Sequence, residues 1–229
     1  VIVNTRQGGS VTTPTPAGDS KPTARAPRRT RANGEQSRER ILEVATEVAT
    51  ERGYDGTTIS LVSKKSGLPP TSVYWHFTDK DDLIAAVIER SYQRWLAALE
   101  LPGGEAARTL AFELGTQVAK ALLDAPDFLR LGLMLALEHR PVEPRAREMF
   151  LQVRDNAFHH FAQIVRDVAP GLDEENVRLL TTYAIAGADG LFIAKEVGGD
   201  SVDLIKLFDL HTRLIFESAV RLLQSGQEA

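Results

Sequence analysis

From Ser37 onward apolar residues recur at helical spacing, and no alternating run of strand length breaks the pattern. Ile41, Leu42, Ala45, Val48 and Ala49 form one stripe, which predicts a helix from an N-cap at Ser37 to a stop at Gly53. A short helix is expected from about Thr58 to Ser66, then a break at Gly67, then a second short helix from Pro70 to about His76. A longer helix begins after Thr78, where Asp79, Asp81 and Asp82 set negative charge on the positive end of its dipole. It carries Leu83, Ile84, Val87, Tyr92, Trp95 and Leu96 and ends before Pro102, Gly103 and Gly104. Further helices are predicted at 105–124, 127–139, 143–168, 173–197 and 202–225, with prolines and glycines between them. The fold class is all-α, with neither an internal repeat nor a heptad run long enough for a coiled coil.

The first 33 residues do not share this periodicity. Pro14, Pro16, Pro22 and Pro27 mix there with Gly, Ser and Thr, and large apolar residues are nearly absent after Val11. Such a stretch buries too little surface to offset the entropy of ordering, so 1–33 is expected to be a disordered arm. Its end is basic, with Lys21, Arg25, Arg28, Arg29 and Arg31, which suits either a solubilising tail or an arm that follows DNA. The charge balance sharpens this. The first 94 residues carry 14 Lys and Arg against 11 Asp and Glu, a net +3, and the rest carries 13 against 20, a net −7. A basic front and an acidic rear are worth testing for nucleic-acid binding at one end.

Composition removes other classes. With no cysteine, the chain has no disulfide, no thiolate nucleophile and no cysteine-ligated zinc. The longest purely apolar run, near Leu131 to Leu137, falls far short of the ~20 residues a bilayer span needs, so no membrane association is expected. The chain opens on Val1 without a basic segment followed by an apolar one, so an alternative start or a trimmed chain, no export and a cytoplasmic location are expected.

The segment from Thr57 to Phe77 reads TTISLVSKKSGLPPTSVYWHF. Two short helices joined through Gly67 match a helix-turn-helix, whose second helix enters a major groove. Glycine suits the left-handed turn, which other residues enter only at a cost. Ile59, Val62 and Val73 then face inward against the first helix. Pro69 is pushed to extended backbone by the proline after it, which suits an N-cap, and Pro70 suits the first helical turn. Thr71, Ser72, Tyr74, Trp75 and His76 remain on the short second helix, and hydroxyls and aromatics of this kind suit phosphates and base edges.

Arg38 to Glu89 resembles the DNA-binding domain of the tetracycline-repressor (TetR) family. The resemblance rests on ILEVATEVATERGYDGTTI from Ile41, SGLPPTSVYWHF from Ser66 and TDKDDLIAAVIE from Thr78. It departs from the family pattern at Pro69, where a small hydroxyl residue is usual, and at Pro70 and Thr71, where Lys and Gly are frequent. The resemblance implies phosphate contacts from Thr58 and Ser60, a groove and phosphate surface from Pro70, Thr71, Ser72, Tyr74, Trp75 and His76, and a backbone contact from Lys80. Tyr74 and Trp75 could instead be packing residues, and Phe77 is expected to be one. The resemblance also implies a C-terminal helical domain that binds a ligand, dimerises through its last two helices and releases DNA when liganded. The organisation expected is therefore an arm at 1–33, a DNA-binding domain at 34–94 and a ligand-binding and dimerisation domain at 95–229.

The rear residues fit that plan on their own terms. Leu180, Tyr183, Ala184, Gly187, Ala188 and Leu191 make a stripe whose small members allow close helix approach. In the last helix Leu204, Phe208, His211, Ile215 and Leu222 share one face, and Leu207, Leu210 and Leu214 an adjoining one. Two apolar faces exceed what one intramolecular neighbour needs, so Ala184, Gly187, Ala188, Leu191, Leu207, Phe208, His211, Leu214 and Ile215 are candidates for a homodimer interface, against burial in a monomer core. Trp95, Phe112, Phe128, Met134, Phe150, Phe158 and Tyr183 are candidates to line a pocket for a small, lipophilic effector, although a residue of this kind is more often plain core than pocket wall. His159, His160 and Asp155 lack a third ligand at a recognisable spacing, so no metal or other cofactor is expected. No nucleophile elbow, P-loop or dinucleotide fingerprint points to an enzyme. The reading is a ligand-responsive repressor on a palindromic double-stranded DNA operator. The alternatives are a helical interaction scaffold that has lost operator binding and a helical enzyme handling a small molecule.

Overall fold

The structure is a computed structural model that describes residues 26–99, 106–138 and 144–227, with the side chains of 26–32, 106–112 and 226–227 outside the description. Arg28, Arg29, Arg31 and Phe112 are therefore placed by backbone alone, and residues 1–25 of the expected arm lie outside the described residues. Among the described residues every regular element is helical: α1 (Ala26–Gly56), α2 (Ile59–Ser66), α3 (Pro70–His76), α4 (Lys80–Ala97), α5 (Ala106–Asp124), α6 (Asp127–Leu137), α7 (Arg145–Val168), α8 (Glu174–Gly198) and α9 (Leu204–Gln227).

The first helix differs most from expectation. Ser37 does not cap it: its hydroxyl donates to the Asn33 carbonyl at 2.8 Å, one turn back inside a helix that starts at Ala26. The Pro-, Arg- and Thr-rich 26–33 is thus helical backbone where composition suggested disorder. At the other end Gly53, with φ of 68°, breaks the helical geometry where the stop was expected.

The stripe on α1 is fully buried: Ile41, Leu42, Ala45 and Val48 meet Val62 of α2, Val73 of α3 and Leu83, Ile84, Val87 and Ile88 of α4. Each large aliphatic among them contributes about 1.5–3 kcal/mol relative to an exposed position. α4 then runs on into the rear of the molecule, where it packs on α6 and α7, so one continuous core joins front and rear.

The acidic start of α4 has a finer division of labour than a dipole effect. Asp79 accepts from the Asp82 backbone N–H at 2.9 Å while Asp82 accepts from that of Thr78 at 3.0 Å, a reciprocal cap. Asp81 reaches out of its helix. Its carboxylate accepts from the backbone N–H groups of Arg145 and Ala146 and from the Tyr54 hydroxyl at 2.9 Å. Pro144, in the N-cap position of α7, supplies no side-chain cap, so a residue of α4 does that work and ties α1, α4 and α7 together.

The longest purely apolar run proved a poor guide to one helix. Glu174–Ser201 is long and apolar enough to cross a membrane by length and composition, because Asp189 is the only charged residue from Leu179 to Ala194. In this fold that helix packs between α7 and α9.

Candidate nucleic-acid interface and interior cavity

Thr58 opens α2, its side-chain oxygen accepting from the Leu61 N–H at 3.2 Å, and Gly67 closes it in the left-handed conformation at φ of 72°. Ser63 donates to the Leu68 carbonyl at 2.7 Å, and Ser66 donates to the Ser63 carbonyl at 3.1 Å, which pins the turn. Pro69 is extended at φ of −65° and ψ of 152°, and Pro70 starts α3 without a side-chain cap. With Val73 and Phe77 buried, the opposite side of α3 faces out: Tyr74 is 57% exposed and Trp75 76%. Neither ring is a core residue. Thr71 and Ser60 are exposed and Ser72 half-buried on the same surface.

Trp75 stands edge-on to His76 at 4.6 Å and close to α1, where a Cβ added at Gly34 would meet its ring at 3.5 Å. One turn beyond Gly34, Arg38 lies 5.5 Å over the Phe77 ring. Burial, then the nearby Arg38 charge, hold the His76 pKa below its ordinary value, so in the free protein this ring favours the neutral form. Arg38 is a cation at this surface that motif reading passed over; its only trace in sequence is its spacing of four from Gly34. Lys80 is placed differently from the expected backbone contact. Its ammonium sits 4.1 Å over the Tyr54 ring, donates to the Tyr54 carbonyl at 3.3 Å and lies 3.9 Å from Asp55.

In the rear, a cavity of about 150 Å³ lies among α4, α5, α6, α7, α8 and α9. Its wall is almost wholly apolar and includes Trp95, Phe128 and Phe161, whose rings pack on one another at 5.4 and 6.5 Å. Five side chains of its lining carry polar atoms: Trp95, Arg154, Asp189, His211 and Thr212. Arg154 donates two bonds to Asp189, at 2.8 and 2.5 Å. Burial pushes the Asp189 carboxyl up, and the guanidinium opposes that shift. The pair is only partly buried, with 26% of the Arg154 side chain and 18% of the Asp189 side chain exposed. His211 Nε2 lies 2.9 Å from the Ala184 carbonyl, which can only accept, so that nitrogen is the donor.

The family described as "Bacterial regulatory proteins, tetR family" matches residues 41–87, the stretch that builds α1 to α4 around the turn at Gly67. The front of the chain thus matches the DNA-binding segment of the tetR family. The HTH-type transcriptional regulator AcrR of Shigella flexneri is 33% identical over 64 residues, 28% of this chain and 30% of that protein. An HTH-type transcriptional repressor of Mycobacterium tuberculosis (strain ATCC 25618 / H37Rv) is 30% identical over 124 residues, 53% of this chain and 47% of that one. The chain thus spans 30% and 47% of these two curated relatives. Two solved structures share its fold over most of both chains. SmeT, the repressor of the Stenotrophomonas maltophilia multidrug efflux pump SmeDEF, has a TM-score of 0.62 at 20% identity, covering 79% of this chain and 89% of that one. The fatty acid degradation regulator FadR of Bacillus halodurans has a TM-score of 0.65 at 15%, covering 79% and 94%.

Within this fold the α3 residues expected to meet DNA fall together on one surface, whereas the expected pocket set scatters. Trp95 and Phe128 line the cavity. Phe150 does not: its ring presses onto Gly132, where an added Cβ would come within 1.9 Å, and fills the α6–α7 contact. Met134 and Tyr183 are mostly exposed, and Phe158 is half-buried away from the wall. The aliphatic lining from α5 and the polar groups on α7 and α8 were missed, because helical period reports burial and not what lies across from a face.

The expected dimer stripe is also reassigned. Ala184, Ala188, Phe208, His211 and Ile215 line the cavity, Leu191 packs on the core, and Gly187 lets the His211 ring approach where a Cβ would come within 2.2 Å. These small residues admit a neighbour inside the chain. The outward faces belong to Leu179, Tyr183, Ile193 and Val197 on α8 and to Leu210 and Leu214 on α9, with Leu207 half-buried at their edge. Each ring of His159 and His160 places Nδ1 2.8 Å from the carbonyl four residues back, and no group of three or more ligating side chains gathers among the described residues.

Proposed function

We propose that this chain is a ligand-responsive transcriptional repressor that binds a palindromic operator as a homodimer and lets go when a small lipophilic effector fills the rear cavity. One observation carries the reading: α3 turns Tyr74 and Trp75 into solvent behind a turn held rigid by Gly67, Ser63 and Ser66. Two large amphipathic rings on one outward face suit a major groove, which supplies thymine methyls and backbone for them to press on. Thr58, Ser60, Pro70, Thr71, Ser72, His76 and Arg38 surround those rings and supply hydroxyls and charge for phosphates. We assign Lys80 to ordering the C-terminal end of α1, and Arg28, Arg29 and Arg31 to the backbone flanking the site. The exposed aliphatics of α8 and α9 supply a self-complementary face for the second copy, and a cytoplasmic location follows from the work.

Selection of bound sequences from random DNA tests this. Enrichment of a palindrome with half-sites separated by roughly one helical turn, ~34 Å or a multiple, is the expected result. Recovery of no preferred sequence, with non-specific binding only, would return the chain to the class of helical interaction scaffolds.

A further inference from the structure

The cavity is long, and its polarity changes along its length. Its wall follows α7 from Arg154 to Val168, roughly 20 Å at the rise of an α-helix. α8 runs the opposite way beside it: Asp189 meets Arg154, whereas Leu180 packs with Ala169 and Ala219. Both charges therefore stand toward one end. His211 falls between the ends, with Nε2 spent on the Ala184 carbonyl. Beyond Phe161 the wall includes Ile164, Val165, Val168, Leu180, Ile215 and Ala219, and among the described residues it carries no polar side-chain atom there. A volume of about 150 Å³ spread over that length makes a narrow slot. A narrow apolar slot fits an alkyl chain better than a compact ring, because packing is lost wherever a guest leaves gaps or forces the wall apart.

The charged end is not used up by its own pair. A guanidinium carries five N–H donors and a carboxylate about four acceptor sites. Two of each join Arg154 to Asp189, and the pair is only partly buried, which leaves donors and acceptors for a guest's polar group.

We infer that the effector is an unbranched amphiphile, with one polar head at the Arg154–Asp189 end and an alkyl tail directed along α7 toward Val168. This deepens the reading of the cavity as the effector site and rests on it. The head adds hydrogen bonds to a pair that stays closed, and the tail exchanges water for aliphatic side chains. The orientation is fixed because a polar group at the far end finds no partner.

Calorimetric binding to the full chain, without DNA, tests this with three eight-carbon probes: 1-octanol, its compact counterpart cyclooctanol, and 1,8-octanediol, which is polar at both ends. 1-Octanol is expected to bind on the order of tenfold more tightly than cyclooctanol, which overpacks the slot. It is expected to exceed the diol by on the order of tenfold as well, because the second hydroxyl is buried without a partner. In a paired variant, Arg154→Met with Asp189→Leu, no charge is stranded but the head loses its partners, so 1-octanol should weaken about fivefold. Cyclooctanol or the diol matching 1-octanol on the native chain overturns the inference, whether or not the variant folds. So does a folded variant that holds 1-octanol as tightly as the native chain. Saturation by none of the three also overturns it, and in a preparation that still binds its selected DNA it leaves the DNA-binding reading standing. The expected ranking in a chain that selects no DNA keeps the slot and removes the regulator.

Discussion

Around α3 the interior is filled by aliphatic side chains, and the rings and cations stand outside; in the rear a partly buried charge pair bridges α7 and α8 while aliphatic side chains of α8 and α9 face out. The front unit closes its core with its own residues, Ile41, Leu42 and Val48 against Val62, Val73 and Leu83, and what it exposes is amphipathic. The rear unit leaves a cavity unfilled and Leu179, Val197, Leu210 and Leu214 uncovered. Rings that carry a hydroxyl or an N–H tolerate water and suit a polar groove, whereas bare aliphatics gain only from another apolar surface. The contrast teaches that the front is complete as a fold and waits for a polar partner. The rear leaves an apolar face and a cavity uncovered, which the proposed second copy and effector would fill.

The most severe way to break the contrast is to charge the outer face. Leu210→Glu together with Leu214→Glu should dissociate the dimer, raising its dissociation constant by on the order of a hundredfold or more, since each copy would bury unpaired carboxylates. Sedimentation should show a helical monomer, and a native chain already monomeric at micromolar concentration would refute the face. Next in size, Trp75→Ala and Tyr74→Ala should each cost about 1–3 kcal/mol of operator binding while affinity for random DNA changes less. Equal losses on both DNAs would make the rings positioning groups. Asp81→Ala should lower stability by about 1 kcal/mol, the worth of a lost helix cap, seen as an earlier denaturation midpoint with the helices otherwise intact. An unchanged midpoint would mean that solvent caps α7 equally well.

The smallest effect concerns His76. Its lowered pKa in the folded chain means that it should titrate in proton-detected spectra below the ~6.5 of an unperturbed histidine. The sign follows from linkage: with the folded value depressed, its contribution to stability is present above the unfolded pKa and is lost as pH falls through the folded one. Arg38→Gln should move the titration part of the way back, since burial is the larger cause. A full return to the ordinary value would mean that the Arg38 charge, and not burial, holds the ring neutral.

Local signals were sufficient wherever the deciding interaction spans a few residues. Gly67 at a left-handed turn, Pro70 at a helix start, Asp79 at a cap and the stripe from Ile41 to Ala49 each depend on neighbours within a turn or two, so the helix-turn-helix and most helix limits follow from sequence alone. The start of α1 was the exception, because Ser37 makes its hydrogen bond equally well inside a helix as at a cap.

Periodicity also showed that α9 carries two apolar faces, because that too is a property of one helix. It could not say which face looks inward, because burial depends on what a distant element places opposite. Only tertiary structure turned Gly187 and Ala184 toward His211 instead of toward a second copy, fitted Phe150 over Gly132, brought Arg154 to Asp189 across two helices, and let Asp81 cap a helix that begins at Arg145. Those contacts join residues far apart in the chain, and their energies depend on position in space, which composition and period do not encode.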